Sequence, residues 1–167
     1  KTYWGELIAM NVYAIQNWDI IIKESIAVKL YLIEKDPFEK DDRKKLNFGH
    51  TIAHAIEKQM LQKGDAISHG IEVAAGILIE SYLSAYHCQL DEDSFKSIEA
   101  FITNIYPKIE LENSDKANLL TAINQDKKNE NNANRFTLLD EIGKASINHN
   151  LQSKSIEEAL TYYIDLY

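Results

Sequence analysis

The sequence predicts a mainly α-helical bundle with one small β-hairpin near its C-terminal end. Three observations predict this class. Apolar residues recur at three- and four-residue intervals over most of the chain. Only six glycines and two prolines interrupt its 167 residues. One late stretch, "RFTLLDEIGKASI", alternates apolar and polar residues as strands do.

The elements follow in order. The periodicity predicts helices over 2–17 and 18–35, the second stopped by Pro37 within the polar connector "DPFEKDD". A third helix is expected over 45–62, then a break at "QKGDAISHG" with Ser68 as a cap for the next. The helix over 68–89, "HGIEVAAGILIESYLSAYH", is apolar nearly all round, which marks it as central and buried. Its Gly70, Ala74, Ala75 and Gly76 would let neighbours approach closely. Helices over 91–105 and 115–126 come next, and "NENNAN" reads as a solvated loop. "RFTLL" and "ASINH" form a hairpin turning near Gly143 and Lys144. A last helix starts in "SIEEALTYYIDLY", with Ser155 as cap and Glu158 three residues on, the capping-box pattern. Tyr3, Trp4, Tyr13 and Trp18 recur at helical intervals and are read as core.

The totals narrow the function. Hydrophobic residues at 45% and charged residues at 26% describe an ordinary soluble globular domain, and the length suits one core. A net charge of −8 argues against nucleic acid as a partner. No apolar run approaches the roughly 18 residues of a membrane span. The single cysteine, Cys88, precludes an internal disulfide and fits the reducing cytoplasm; it reads as a buried or half-buried thiol in a helix. The chain opens in mid-pattern, with no initiator methionine, signal peptide or helix cap, so it reads as a piece of a longer protein.

Chemistry concentrates in "RKKLNFGHTIAHAIE". His50 and His54, four apart, project from one side of a helix, with Asn47 and Glu57 extending the stripe. Two imidazoles at this spacing can bind zinc if a third ligand comes from elsewhere, and Glu57, Asp65 and His69 are available. The plain alternative is a polar helix face with hydrogen-bonded histidines. Gly49 costs a helix about 1 kcal/mol relative to alanine, so a ligand or another backbone is expected to come close there. Arg43, Lys44 and Lys45 at the helix entrance suit an anion, or simply offset Asp36, Glu39, Asp41 and Asp42. Glu72 lies one turn after His69 and could orient it. Lys127 and Lys128 close a helix, where the dipole favours them anyway. Lys29 is an isolated cation in the apolar stretch "SIAVKLYL", so it must snorkel or meet an anion.

Together, "DPFEKDDRKKLNFGHTIAHAIE" and the later "HGIEVAAGI" resemble 3-dehydroquinate synthase, and the likeness runs from about Lys1 to "RFTLLDEIGKASI". It implies the helical C-terminal domain of that enzyme, with the N-terminal NAD-binding α/β domain lying outside this chain. The implied activity converts 3-deoxy-arabino-heptulosonate 7-phosphate to 3-dehydroquinate and phosphate in the shikimate pathway. The implied cofactors are NAD and zinc or cobalt, the metal acting as a Lewis acid. His50 and His69 match the family's metal-binding histidines, and His54 a substrate-contacting one. Arg43, Asn47 and Lys29 match residues that hold the substrate's anionic and hydroxyl groups. One lysine of the Lys127–Lys128 pair matches an active-site lysine. Lys1 matches a lysine three residues after the family's metal-binding glutamate, which puts that glutamate upstream. A homodimer is common in the family, and a cytoplasmic enzyme is implied. Two departures stand out: Ala53 replaces a glycine, and Ile71 replaces the glutamate of His-Gly-Glu, with Glu72 displaced by about 100° on a helix. Two other readings share these residues, a sister cyclase such as 2-deoxy-scyllo-inosose synthase and a non-catalytic helical module.

Overall fold

The structure, a computed structural model, describes residues 2–15, 17–129 and 136–166, without the side chains of residue 2 and of 126–129. Among these residues seven α-helices form: α1 Thr2–Ala9, α2 Asp19–Lys35, α3 His50–Lys63, α4 His69–His87, α5 Glu92–Ile105, α6 Lys116–Asn129 and α7 Ser153–Asp165. Strands β1 Phe136–Glu141 and β2 Lys144–His149 pair antiparallel, and Gly143 turns between them at φ 89°. The predicted class holds: a helical bundle with one hairpin.

Helix α4 is the central element, as its all-round apolarity requires. It packs against α3, α5, α7 and β1, and Leu78, Ile79 and Leu83 are fully buried. Ile52 and Ile56 of α3, Ile98 of α5, Leu119 of α6 and Leu160 of α7 complete the core. Burying each such side chain stabilises the fold by about 1.5–3 kcal/mol. The hairpin is tied into this centre. Leu139 N–H donates to Ser84 Oγ at 2.9 Å, and Thr137 Oγ1 donates to the Lys44 carbonyl at 3.0 Å.

The α3–α4 contact is unusually close. A Cβ on Gly76 would sit 2.0 Å from the Gly49 carbonyl oxygen, and one on Gly49 would sit 2.6 Å from Ile77 Cγ1. Gly49 also lies at φ 86°, a left-handed conformation that side chains disfavour. Of the two expectations for Gly49, another backbone is the answer: helix α4 fills the space.

Several element ends differ from the sequence reading, each for a local reason. Helix α1 stops at Ala9 and a 3-10 turn, Val12–Ala14, follows, because the Asn11 side chain accepts from Tyr13 N–H and closes a local turn. Helix α3 begins at His50, five residues late. Before it, Asp42–Asn47 forms a 3-10 turn, held by Asp36, whose carboxylate accepts from the N–H groups of Lys40, Asp41 and Arg43. Asn47 therefore stands outside the helical stripe it was assigned to. Helix α7 starts at Ser153 with Gln152 as cap, and Ser155 is already inside, its N–H bonded to the Gln152 carbonyl. Ser68 does precede α4, but its side chain makes no cap bond. Tyr3, Tyr13 and Trp18 are exposed rather than core; Trp4 is half-buried, its ring 5.2 Å from that of Phe101.

Helix α2 packs chiefly on the Asp42–Asn47 turn. Ile20, Ile22, Ile26, Val28, Leu30 and Tyr31 along it are all exposed. Among the described residues no helix is long and apolar enough to cross a membrane.

Candidate active-site face

The first residues of α3 and α4 are both histidines, and the packing of these helices brings them together. The ring centroids of His50, His54 and His69 form a near-equilateral triangle with sides of 5.8, 5.9 and 6.0 Å. His54 and His69 are exposed, and His50 is half-buried. Burial lowers the His50 pKa, helped by the neighbouring His54 and His69 and opposed by the Phe48 carbonyl, which faces Nδ1 at 3.4 Å. A neutral imidazole is the form that binds a metal.

Helix α4 brings Glu72 beneath this cluster. Its carboxylate is 1% exposed, Oε2 has no hydrogen-bond partner, and His69 Nδ1 stands 3.6 Å from it. Burial raises its pKa, and Glu57 raises it further, against the opposite pull of His69 and His54. Ligand atoms of Glu57, His69 and Glu72 all lie within 4.8 Å of one another. A buried carboxylate lacking a donor, beside a second carboxylate and an imidazole, is a donor set that fits a divalent cation. Asp65 is outside that cluster and exposed.

A second group sits just before α3. Asn47 Nδ2 donates to Glu39 Oε1 at 2.7 Å, and Arg43 Nε lies 3.6 Å from Glu39 Oε2. Arg43 Nη1 donates to the Pro37 carbonyl at 3.1 Å. Glu39, at φ 53°, thus gathers the two substrate candidates; the sequence reading named it only as an acid for the entrance cations to offset, which its pair with Arg43 bears out. The available signal was its spacing, four residues before Arg43. Lys45 bonds Asp42 at 2.5 Å, so Lys45, like Arg43, offsets an acid as one of the two readings had it, and Lys35 of α2 pairs with the same Asp42 carboxylate. Lys29 projects to solvent from α2, the helix resting on this turn. Lys1 and the Lys127 and Lys128 side chains lie outside the described residues.

The α3 entrance also holds a residue the sequence left unread. Glu80 of α4 is fully buried, and its carboxylate accepts from Gly49 N–H at 2.7 Å and Ile52 N–H at 3.3 Å. Burial pushes its pKa up to about 8, against the pull of the Gly49, Ile52 and Thr51 N–H groups. The N-terminal donors of α3 are thus occupied from inside the protein, and the dipole argument for an anion at that entrance fails. A charge in an otherwise apolar helix was the signal, the same one that drew notice to Lys29.

The family model for the 3-dehydroquinate synthase C-terminal domain matches residues 4–129. The chain belongs to that family. Among curated relatives, 3-dehydroquinate synthase of Parabacteroides distasonis is 38% identical over 143 residues, covering 86% of this chain and 40% of the relative. This 3-dehydroquinate synthase C-terminal domain thus spans about 40% of the length of such relatives. Among solved structures, 2-epi-5-epi-valiolone synthase of Streptomyces hygroscopicus subsp. jinggangensis, with NAD+ and Zn2+ bound, superposes with a TM-score of 0.71 at 16% identity, over 89% of this chain and 40% of that one. A 2-deoxy-scyllo-inosose synthase complexed with carbaglucose-6-phosphate, NAD+ and Co2+ gives 0.68 at 21% identity, over 83% and 39%. At those identities the likeness is one of fold.

Proposed function

We propose that the parent protein is a 3-dehydroquinate synthase, a carbon–oxygen lyase that releases phosphate from 3-deoxy-arabino-heptulosonate 7-phosphate, and that this domain supplies its metal- and substrate-binding wall. The observation that carries the reading is the three-histidine triangle set directly after the Glu39–Arg43–Asn47 network.

His50 and His69 hold the divalent metal, zinc or cobalt. When bound, it supplies Lewis-acid polarisation of a substrate hydroxyl. His54, exposed one turn further along α3, offers a ring nitrogen to a substrate hydroxyl. Arg43 presents its guanidinium to a carboxylate or phosphate, for which the planar fork is suited, and Asn47 offers amide hydrogen bonds to hydroxyls. Glu39 positions both, since one carboxylate oxygen faces each of them. Lys29, with Lys1 and one of Lys127 and Lys128, adds positive charge for the phosphorylated sugar acid. NAD is bound mainly by residues outside this chain, so the domain alone is inactive. The enzyme is cytoplasmic and works as a homodimer, with neither nucleic acid nor membrane as partner.

The test offers two substrates to the full-length gene product with NAD and zinc: the heptulosonate phosphate and a hexose 6-phosphate. Phosphate release with 3-dehydroquinate formed from the first alone is expected. Turnover of the hexose phosphate instead would place the protein among the sister cyclases. Arg43→Ala and Asn47→Ala are expected to raise KM more than they lower kcat.

A further inference from the structure

We infer that Lys58 is a further substrate-binding residue, taking the phosphate group, with its ammonium held in place by Gln125 of α6. The inference rests on the cyclase reading above and deepens it. The family resemblance gives roles to His54 and to a lysine near the end of α6, but none to residue 58.

Helices α3 and α6 pack against each other and leave a cavity of about 270 Å³ beside His54. Thr51, His54 and Lys58 line it from α3 and Gln125 from α6, over the buried Ala55 and Ile123. Residues 51, 54 and 58 recur at helical spacing, so they share one side of α3. Sites for a whole ligand run to about 300–1,000 Å³, so this one suits a single end of a substrate. A smaller cavity of about 160 Å³ continues it past Lys58, with Gln59, Asn118 and Thr121 in its walls. Among the described residues, no carboxylate lines either cavity.

The chemistry of this wall selects an anion. The chain carries 26 acidic and 18 basic side chains, so its cations readily find carboxylates. Arg43 pairs with Glu39, Lys63 with Asp115 and Lys96 with Glu99 in that way. Lys58 is held differently: its Nζ donates to the neutral Gln125 Oε1 at 2.7 Å, and no carboxylate pairs with it among the described side chains. An amide oxygen orients the ammonium without cancelling its charge, and it leaves two N–H donors for a ligand. His54, one turn earlier on the same side, offers a ring nitrogen to the same space. A phosphate group, rich in charge and in acceptor oxygens, uses a cation and neutral donors together. Arg43 stands before α3, whereas Lys58 lies about 12 Å along that helix from His50. The heptulosonate phosphate carries its carboxylate and its phosphate at opposite ends of the carbon chain. The planar guanidinium fork of Arg43 thus suits the carboxylate, and Lys58 the phosphate.

The experiment measures turnover of the heptulosonate phosphate, and calorimetric binding of inorganic phosphate, by the full-length protein with NAD and zinc. Lys58→Gln, Lys58→Arg and Gln125→Ala are compared with the parent. Lys154→Gln, at an exposed position on α7, controls for the change in net charge. Lys58 and Gln125 are exposed, so these variants are expected to fold, with circular dichroism as the check. Lys58→Gln should raise KM and weaken phosphate binding, each by about tenfold or more, while kcat changes less. Lys58→Arg should recover most of that loss, Gln125→Ala should weaken phosphate binding by about threefold, and Lys154→Gln should match the parent. KM and phosphate affinity within about twofold of the parent in Lys58→Gln, or an equal loss in Lys154→Gln, would overturn the inference and leave the cyclase reading standing. A parent that releases no phosphate from the sugar would defeat the cyclase reading, and phosphate binding then decides for Lys58 alone. A tenfold loss in Lys58→Gln upholds the phosphate site; binding that is undiminished in the variant, or absent from the parent, overturns it.

Discussion

Gly76 and Glu80 show how two residues set the position of the candidate site. Gly76 allows the α3 entrance to lie against α4, and Glu80, one turn later, caps that entrance from below. Gly76→Ala puts a methyl 2.0 Å from a backbone oxygen, which no side-chain rotation relieves. It is expected to destabilise the fold by about 3 kcal/mol, read as a shift of the urea midpoint. Glu80 makes a pH-dependent contribution of definite sign. Its folded pKa, about 8, lies above its ordinary value of 4.5, so the fold favours the protonated form. That stabilisation is complete below about pH 4.5 and is lost as pH rises through 8. Glu80→Gln removes the titration, so the stability of wild type relative to this variant should fall between pH 5 and 8. A flat difference across that range would contradict the assignment.

At the scale of elements, the ties between α3 and α6 add the opposite pH limb. Asp115, just before α6, accepts from Gln59 Nε2 at 2.7 Å and Lys63 Nζ at 2.6 Å, both on α3. Burial works against its ionised form, but Lys63, the Glu112 N–H and Gln59 together hold its pKa below the ordinary 3.8. This contribution is present above that value and is lost as pH falls through the folded pKa. Asp115→Ala should cost about 2 kcal/mol at pH 7 and much less at pH 2, measured by denaturant unfolding at both. Helix type and order were legible because α4, α5 and the hairpin carry unbroken patterns of one period. Helix ends were not, since they turn on single side chains that bond nearby backbone. Asn11 and Asp36 each offer the chain a local turn, and Gly49 adopts a left-handed conformation that no periodicity reveals. In the site, His50, His54 and His69 were legible through their spacing and resemblance. Glu80 was not, because its partners lie on a neighbouring helix, and Glu39 was legible as a charge opposite Arg43 but not as the partner of Asn47. Glu72 was noticed, but its direction relative to His69 needed the fold.

Over the whole molecule, the imbalance lies in α2. Its Ile20, Ile22, Ile26, Val28, Leu30 and Tyr31 stay exposed, and so many large apolar side chains on one helix are ordinarily covered. The 167-residue chain is therefore expected to self-associate, and Ile22→Asp with Ile26→Asp should return it toward monomer in sedimentation with its helix content unchanged. Beyond α2, the molecule divides into a well-packed α3–α4 centre and a face of histidines, carboxylates and one arginine laid over it. The central claim is that this face is one wall of a phosphate-eliminating cyclase. The most direct test is phosphate release from 3-deoxy-arabino-heptulosonate 7-phosphate by the full-length gene product, with NAD and zinc, beside its His69→Ala variant. Release by the parent that collapses in the variant, with both folded, is the result predicted here. Absence of release from the folded, zinc-loaded parent, or release undiminished in His69→Ala, would contradict it.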